Sequence, residues 1–164
     1  MARFFAGLPE WTSEPEVSFS IYGERGIIDV LAWHPTRRIL LVIELKTEVV
    51  DVNELLGTLD RKRRLATEIA RSRGWDPLAV ATWVVVADSR SNRRAVAEHG
   101  TVLRTKLPID GRGIRAWLRR PVGPVNGLSF MPSVHGMHLG PSLAPFRRVD
   151  RRRKGRITHD PSPK

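Results

Sequence analysis

Cysteine is absent from the 164 residues. That excludes a disulfide scaffold, a thiolate zinc site and a cysteine nucleophile, and it suits a reducing cytoplasm. Long apolar runs are absent too. None approaches the ~20 residues that span a bilayer, and Met1–Trp11, with one arginine and no apolar stretch, makes a poor signal peptide. A cytoplasmic location with no membrane partner is the expectation. Acid is scarce: 17 Asp+Glu stand against 28 Lys+Arg, a formal net charge of +11. So basic a chain points to a polyanion, most often nucleic acid. Residues 1–120 hold 20 basic against 15 acidic side chains and residues 121–164 hold 8 against 2, so the last quarter carries over half of the excess. A hydrophobic share of 41% is enough for one domain with a core.

Two runs carry the chemistry: Gly26-Ile27-Ile28-Asp29-Val30-Leu31 and Leu41-Val42-Ile43-Glu44-Leu45-Lys46. Both read as apolar strands interrupted by charge. Strand interiors do not hold such charges without a reason, and the simplest one is a divalent metal beside a phosphodiester. His34-Pro35-Thr36-Arg37-Arg38 between them reads as a turn. An even loop centred between Thr36 and Arg37 pairs Trp33 with Leu40, Leu31 with Val42, Asp29 with Glu44 and Ile27 with Lys46. Opposed residues have Cβ atoms about 4.5–5.5 Å apart, and Glu44 and Lys46 share a face by alternation. Asp29, Glu44 and Lys46 then converge, and a cation would relieve the repulsion of two opposed carboxylates. The bland alternative is a solvated sheet face. Against it, Leu31, Trp33, Leu40 and Val42 occupy the same face.

Along the chain, Val17–Tyr22 alternates as a half-buried strand and Gly23–Gly26 reads as a turn. Asp51 or Asn53 caps a helix to about Arg73, with Leu55, Leu59, Ala66 and Ile69 as its apolar stripe and Gly74 as its stop. Leu78–Ala87 is a buried central strand. Ser91 caps a short helix to His99 that Gly100 ends, Thr101–Leu107 is a weak strand, and Asp110 caps a last helix through Leu118. After Pro121 prolines break the pattern. The expected organisation is an α/β domain over residues 1–133, a mixed sheet flanked by helices, and a basic Pro/Gly/Arg-rich tail over 134–164 that reads as disordered.

With these elements around them, Asp29 and Glu44-Leu45-Lys46 resemble the PD-(D/E)xK nuclease superfamily, in its restriction-endonuclease-like and Holliday-junction-resolvase-like members. The chain also resembles the C-terminal domain of actinobacterial helix-turn-helix regulators, through Glu16-Val-Ser-Phe-Ser-Ile-Tyr-Gly-Glu-Arg-Gly26, the hairpin and Leu59-Asp60-Arg61-Lys62-Arg63. It lacks room for the helix-turn-helix part, so such a domain is expected as a missing partner, and the chain reads as without the first helix of the nuclease core. The resemblance implies a restriction-endonuclease-like fold, hydrolysis of DNA phosphodiester bonds, and Mg²⁺ (or Mn²⁺) held by Asp29, Glu44 and the Leu45 carbonyl. Lys46 would steer water or neutralise charge. Glu16 and Glu24 are candidates for a further acid, with a plain surface role for Glu16 equally open. A homodimer is compatible with this family.

Glu54, Thr58 and Lys62 fall on one helical stripe. Arg61, Lys62, Arg63 and Arg64 form a basic block that either contacts phosphates or is a solvated cationic face. Arg151, Arg152, Arg153 and Lys154 are the tail's candidate DNA contacts. His135 and His138 lack nearby acids, Gly111-Arg112-Gly113 is too short for a dinucleotide loop, and the five tryptophans read as core. The rival functions are a catalytically silent DNA-binding module of a transcriptional regulator, and a basic interaction protein driven by its tail.

Overall fold

A computed structural model describes residues 2–132. The tail, including His135, His138 and Arg151–Lys154, lies outside the described residues. The elements run α1 (Ala2–Phe5), β1 (Thr12–Ile21), β2 (Glu24–His34), β3 (Ile39–Lys46), α2 (Val52–Arg71), β4 (Ala79–Asp88), α3 (Arg90–Glu98), α4 (Gly100–Lys106), α5 (Gly111–Arg119) and β5 (Asn126–Pro132). The five strands form one mixed sheet in the order β1-β2-β3-β4-β5. β1, β2 and β3 are antiparallel neighbours, while β3, β4 and β5 run parallel.

Side-chain alternation divides the core between two faces. Val30, Ala32, Leu41, Ile43, Trp83 and Val85 face α1 and α5, meeting Phe5, Trp11, Ile114 and Trp117. Leu31, Trp33, Leu40 and Val42 face α2, meeting Leu65, Ala66 and Ile69. Farther along that second face, Val84 and Val86 meet Leu55, Leu59, Leu103 and Leu107. The helical stripe expected of α2 is buried as read, and Asp51 caps it by accepting from the N–H groups of Asn53 and Glu54 at 2.7 and 3.1 Å. Gly74, at φ +74°, follows the helix end. Four of the five tryptophans are buried, and Trp75 stacks on Trp33 with ring centroids 6.0 Å apart.

Several expectations need correction. The first turn is only Tyr22-Gly23, both at positive φ, so Glu24–Gly26 belong to β2; two such residues make the tight primed turn that matches strand twist. β1 begins at Thr12 and contains Pro15, which an edge strand tolerates. The cap of α3 is Ser89, whose hydroxyl accepts from Asn92 N–H, rather than Ser91. Gly100 opens α4 instead of ending α3, and Thr101–Leu107 is helical rather than a strand. Leu103 and the C-cap residue Leu107 join Leu55 and Leu59 in one cluster, and helical rise keeps the two about 6 Å apart along the axis where a strand would spread them about 13 Å.

The stretch after Pro121 contains β5, which the prolines obscured. Leu128 and Phe130 point to the α3–α4 side, and Ser129 points oppositely to accept from Trp83 Nε1 at 2.9 Å. Ile109 bonds the outer side of β5 through Asn126 and Leu128. By alternation the nitrogen of Pro132 also faces outward, where no ladder partner is needed.

Candidate active site

The hairpin register is the expected one over part of its length. Val30 pairs with Ile43, Leu31 with Val42, Ala32 with Leu41, Trp33 with Leu40 and His34 with Ile39. The ladder stops there. Asp29 and Glu44 are not a ladder pair, and Ile27 does not pair with Lys46, because β2 leaves β3 beyond Val30. β3 continues to Lys46 with β4 alone. Leu45 N–H, the next donor on the abandoned edge, goes to Asp29 Oδ2 at 2.6 Å. The Asp29 carboxylate thus replaces a backbone acceptor and props open a fork between the two strands. Within an extended strand a residue's N–H and C=O point to the same side, so the Leu45 carbonyl faces the fork as well.

Glu44 is only 3% exposed, and both of its carboxylate oxygens are engaged. Lys46 Nζ lies 2.9 Å from Oε1, and Lys62 Nζ from α2 bonds Oε2. The Lys62 side chain is 7% exposed and that of Lys46 33%. Glu44 and Lys46 therefore sit on the α2 face of the sheet, and Lys62 closes over them. Asp29 is half-buried, and its carboxyl is pushed above the ordinary value of 3.8. Burial is the main cause and the Glu44 charge adds to it; the Leu45 N–H, Lys62 and Lys46 pull the other way. The solvated-face alternative fails for Glu44 and Lys62, which have almost no exposed surface.

Other candidates are placed differently. Glu24 binds Arg64 Nη2 at 2.7 and 3.0 Å, apart from the acid pair. Glu16 falls opposite Asp29 in the β1–β2 register, at the one level where the ladder skips a pair between Pro15↔Val30 and Val17↔Ile28. It is exposed and held at φ +52°, in the left-handed region that non-glycine residues rarely adopt. The basic block does not present one face. Lys62 points inward to Glu44, Arg64 reaches Glu24, Arg63 is exposed, and Arg61 Nε is buried without a hydrogen-bond partner. Glu54 and Thr58 line a cavity of about 200 Å³ together with Lys46, which extends the site along α2.

One positioning residue was not foreseen. Asn92, 1% exposed, accepts from Val49 N–H at 3.0 Å and donates to the carbonyls of Thr47 and Ala87 at 2.9 and 2.8 Å. It ties the loop directly after Lys46 to the end of β4. Its sequence neighbours, Ser91 and Arg93, are ordinary helix residues, so no local signal marks it.

Among the described residues no three His, Asp or Glu side chains gather as a metal cluster. The donors at the fork are the Asp29 and Glu44 carboxylates and the Leu45 carbonyl. Hard oxygen donors, few carboxylates and room for water suit Mg²⁺ in kind. A cation bound there would have to replace one lysine on Glu44, and it would relieve the Glu44 repulsion that adds to the effect of burial on Asp29. Compared with protein-family models, with curated proteins and with solved structures, the chain matches none.

Proposed function

We propose that the fork is the active site of a metal-dependent DNA hydrolase with a restriction-endonuclease-like core. The observation that carries this reading is the gathering of Asp29, Glu44 and Lys46 at an open strand end, with a buried second lysine held against Glu44. A protein gains little stability from burying such charges, so a chemical use accounts for them better than a structural one. Asp29, Glu44 and the Leu45 carbonyl would hold Mg²⁺, which would supply a Lewis acid for the scissile phosphate and for a water of lowered pKa. The chain does the rest. Lys62 holds the Glu44 carboxylate from the α2 side. Lys46, a third exposed and oriented by Glu44, offers its ammonium to the charge that develops on phosphate oxygens. Asn92 fixes the loop that follows Lys46. The net charge of +11 favours a polyanionic substrate.

The pairing of both Glu44 oxygens with lysines favours a second reading, a catalytically silent DNA-binding module in which the cluster is a closed set of ion pairs. The test is cleavage of supercoiled and branched DNA in Mg²⁺ or Mn²⁺. The hydrolase reading expects nicking by the parent, its loss in Asp29→Ala, Glu44→Gln and Lys46→Ala, and retained or tighter DNA binding by Glu44→Gln. A folded parent that is inactive with both metals would establish the silent module instead.

A further inference from the structure

Away from the fork, a cavity of about 660 Å³ lies between α3, α4, the start of α5 and the outer strand β5. Leu103, Leu128 and Phe130 give it an apolar floor, and Arg93, Arg104, Arg112 and Arg115 stand around it. Arg93 is already committed. It binds both oxygens of Asp88, at 2.6 and 2.8 Å, and its guanidinium carbon sits 4.7 Å from the Phe130 ring centroid. The other three arginines are exposed, and none forms an ion pair with a carboxylate among the described residues. The lining residues include one acid, Asp110, and its Oδ1 is occupied in capping α5 through Gly113 N–H.

The tip of Arg104 lies against Gly100. A Cβ added at Gly100 would stand 2.9 Å from Arg104 Nη1, so the guanidinium lies where any other residue would put its side chain. Gly100 does not have positive φ, so its backbone does not demand glycine. The volume falls within the ~300–1,000 Å³ of small-ligand sites. Planar guanidinium forks match phosphate oxygens, and an apolar floor matches the flat face of a base. An acidic peptide would satisfy the arginines but not use that floor.

We propose that this cavity binds a nucleotide unit, its phosphate at Arg104, Arg112 and Arg115 and its base against Leu103, Leu128 and Phe130. This does not depend on the fork being a hydrolase site. The two are nonetheless aligned: Leu128 lies in the same cross-strand row as Val84 and Glu44, and Phe130 in the row of Val86 and Lys46. Two strand spacings, roughly 9–10 Å, separate the backbones. The unit can be a free nucleotide or one link of a single strand.

The test uses the full chain, with adenosine monophosphate by calorimetry and a labelled oligodeoxynucleotide by anisotropy. The triple variant Arg104→Ala/Arg112→Ala/Arg115→Ala is compared with Arg37→Ala/Arg71→Ala/Arg120→Ala, which removes three exposed arginines outside the cavity. The cavity variant is expected to lose roughly tenfold or more in affinity, from lost charge-assisted hydrogen bonds. Its salt slope on the oligonucleotide should fall by about 0.7, the value for one single-strand phosphate contact. Gly100→Ala, which keeps every charge but displaces Arg104, should weaken binding severalfold while circular dichroism stays that of the parent. Binding of the monophosphate identifies a free-nucleotide site, and binding of the oligonucleotide alone identifies a strand site; either supports the proposal. Equal losses in the two triple variants would overturn it. So would inorganic phosphate binding as tightly as the nucleotide, or polyglutamate binding through these arginines where nucleotides do not.

Discussion

The two faces of the sheet solve the problem of polar groups in opposite ways. On the α1–α5 face, three buried indoles each donate to one neutral partner. Trp11 Nε1 donates to Leu118 O at 2.9 Å, Trp83 Nε1 to Ser129 Oγ at 2.9 Å and Trp117 Nε1 to Gly123 O at 3.1 Å. On the α2 face, Glu44 and Lys62 are buried as charges, with Asp29 and Lys46 beside them at a strand fork. Indole burial combines large apolar area with one satisfied donor. Buried ion pairs recover little beyond their own desolvation. The first face packs neutral groups, and the second buries charges that add little to stability.

The difference can be broken from either side. The largest effect is expected at Trp83, 1% exposed. Trp83→Ala should cost about 3–5 kcal/mol through the cavity it leaves, with the Ser129 hydroxyl orphaned as well; urea denaturation reads the loss. Next comes Glu44→Leu, at about 3 kcal/mol. Lys46 can turn to solvent, but buried Lys62 would keep an uncompensated charge. Glu44→Leu/Lys62→Met should regain most of that loss, because removing both charges of a buried pair is often neutral. If the double variant is no more stable than the single one, the pair is not the source of the cost.

Asn92→Ala should cost about 2 kcal/mol, since a buried N–H and two carbonyls lose their partner. If the fork is catalytic, cleavage should fall further than stability explains, measured well below the melting temperature. The smallest effect is expected from Asp29→Asn, which still offers an oxygen to Leu45 N–H. The folded state raises the Asp29 pKa, so the fold binds that proton more tightly than the unfolded chain does. Ionised Asp29 is therefore a cost to stability that is fully present above the folded pKa. It shrinks as pH falls through that value and vanishes below the ordinary value of 3.8. Asp29→Asn should be slightly more stable than the parent at neutral pH and equal to it in acid. Denaturation midpoints at both pH values decide this, and a parent that gains stability on going from acid to neutral relative to Asp29→Asn would reverse the assignment.

Much of this was legible in the chain, for local reasons. The even loop of Pro35–Arg38 sets the register of β2 on β3, and alternation then places Leu31, Trp33, Leu40 and Val42 on one face. Asp51 and Asp110 are caps because a short carboxylate ahead of a helix can reach its free N–H groups. The Tyr22-Gly23 turn and the Ser89 cap were local features read a residue or two off, but the two misread elements depend on partners distant in sequence. Leu103 and Leu107 declare a helix only once Leu55 and Leu59 are beside them, and Asn126–Pro132 becomes a strand only because β4 offers it an edge.

The sequence by itself determined that charged residues interrupt two apolar strands, and that a short hairpin brings those strands together. Periodicity and turn chemistry act over a few residues and need no tertiary contact. Only the tertiary structure decided what those charges meet. The splaying of β2 from β3, the Leu45 N–H taken by Asp29, and Lys62 arriving from α2 over Glu44 all depend on how a helix packs across a sheet. Packing is settled by volume and burial summed over the whole core, and no stretch of the chain states that sum locally.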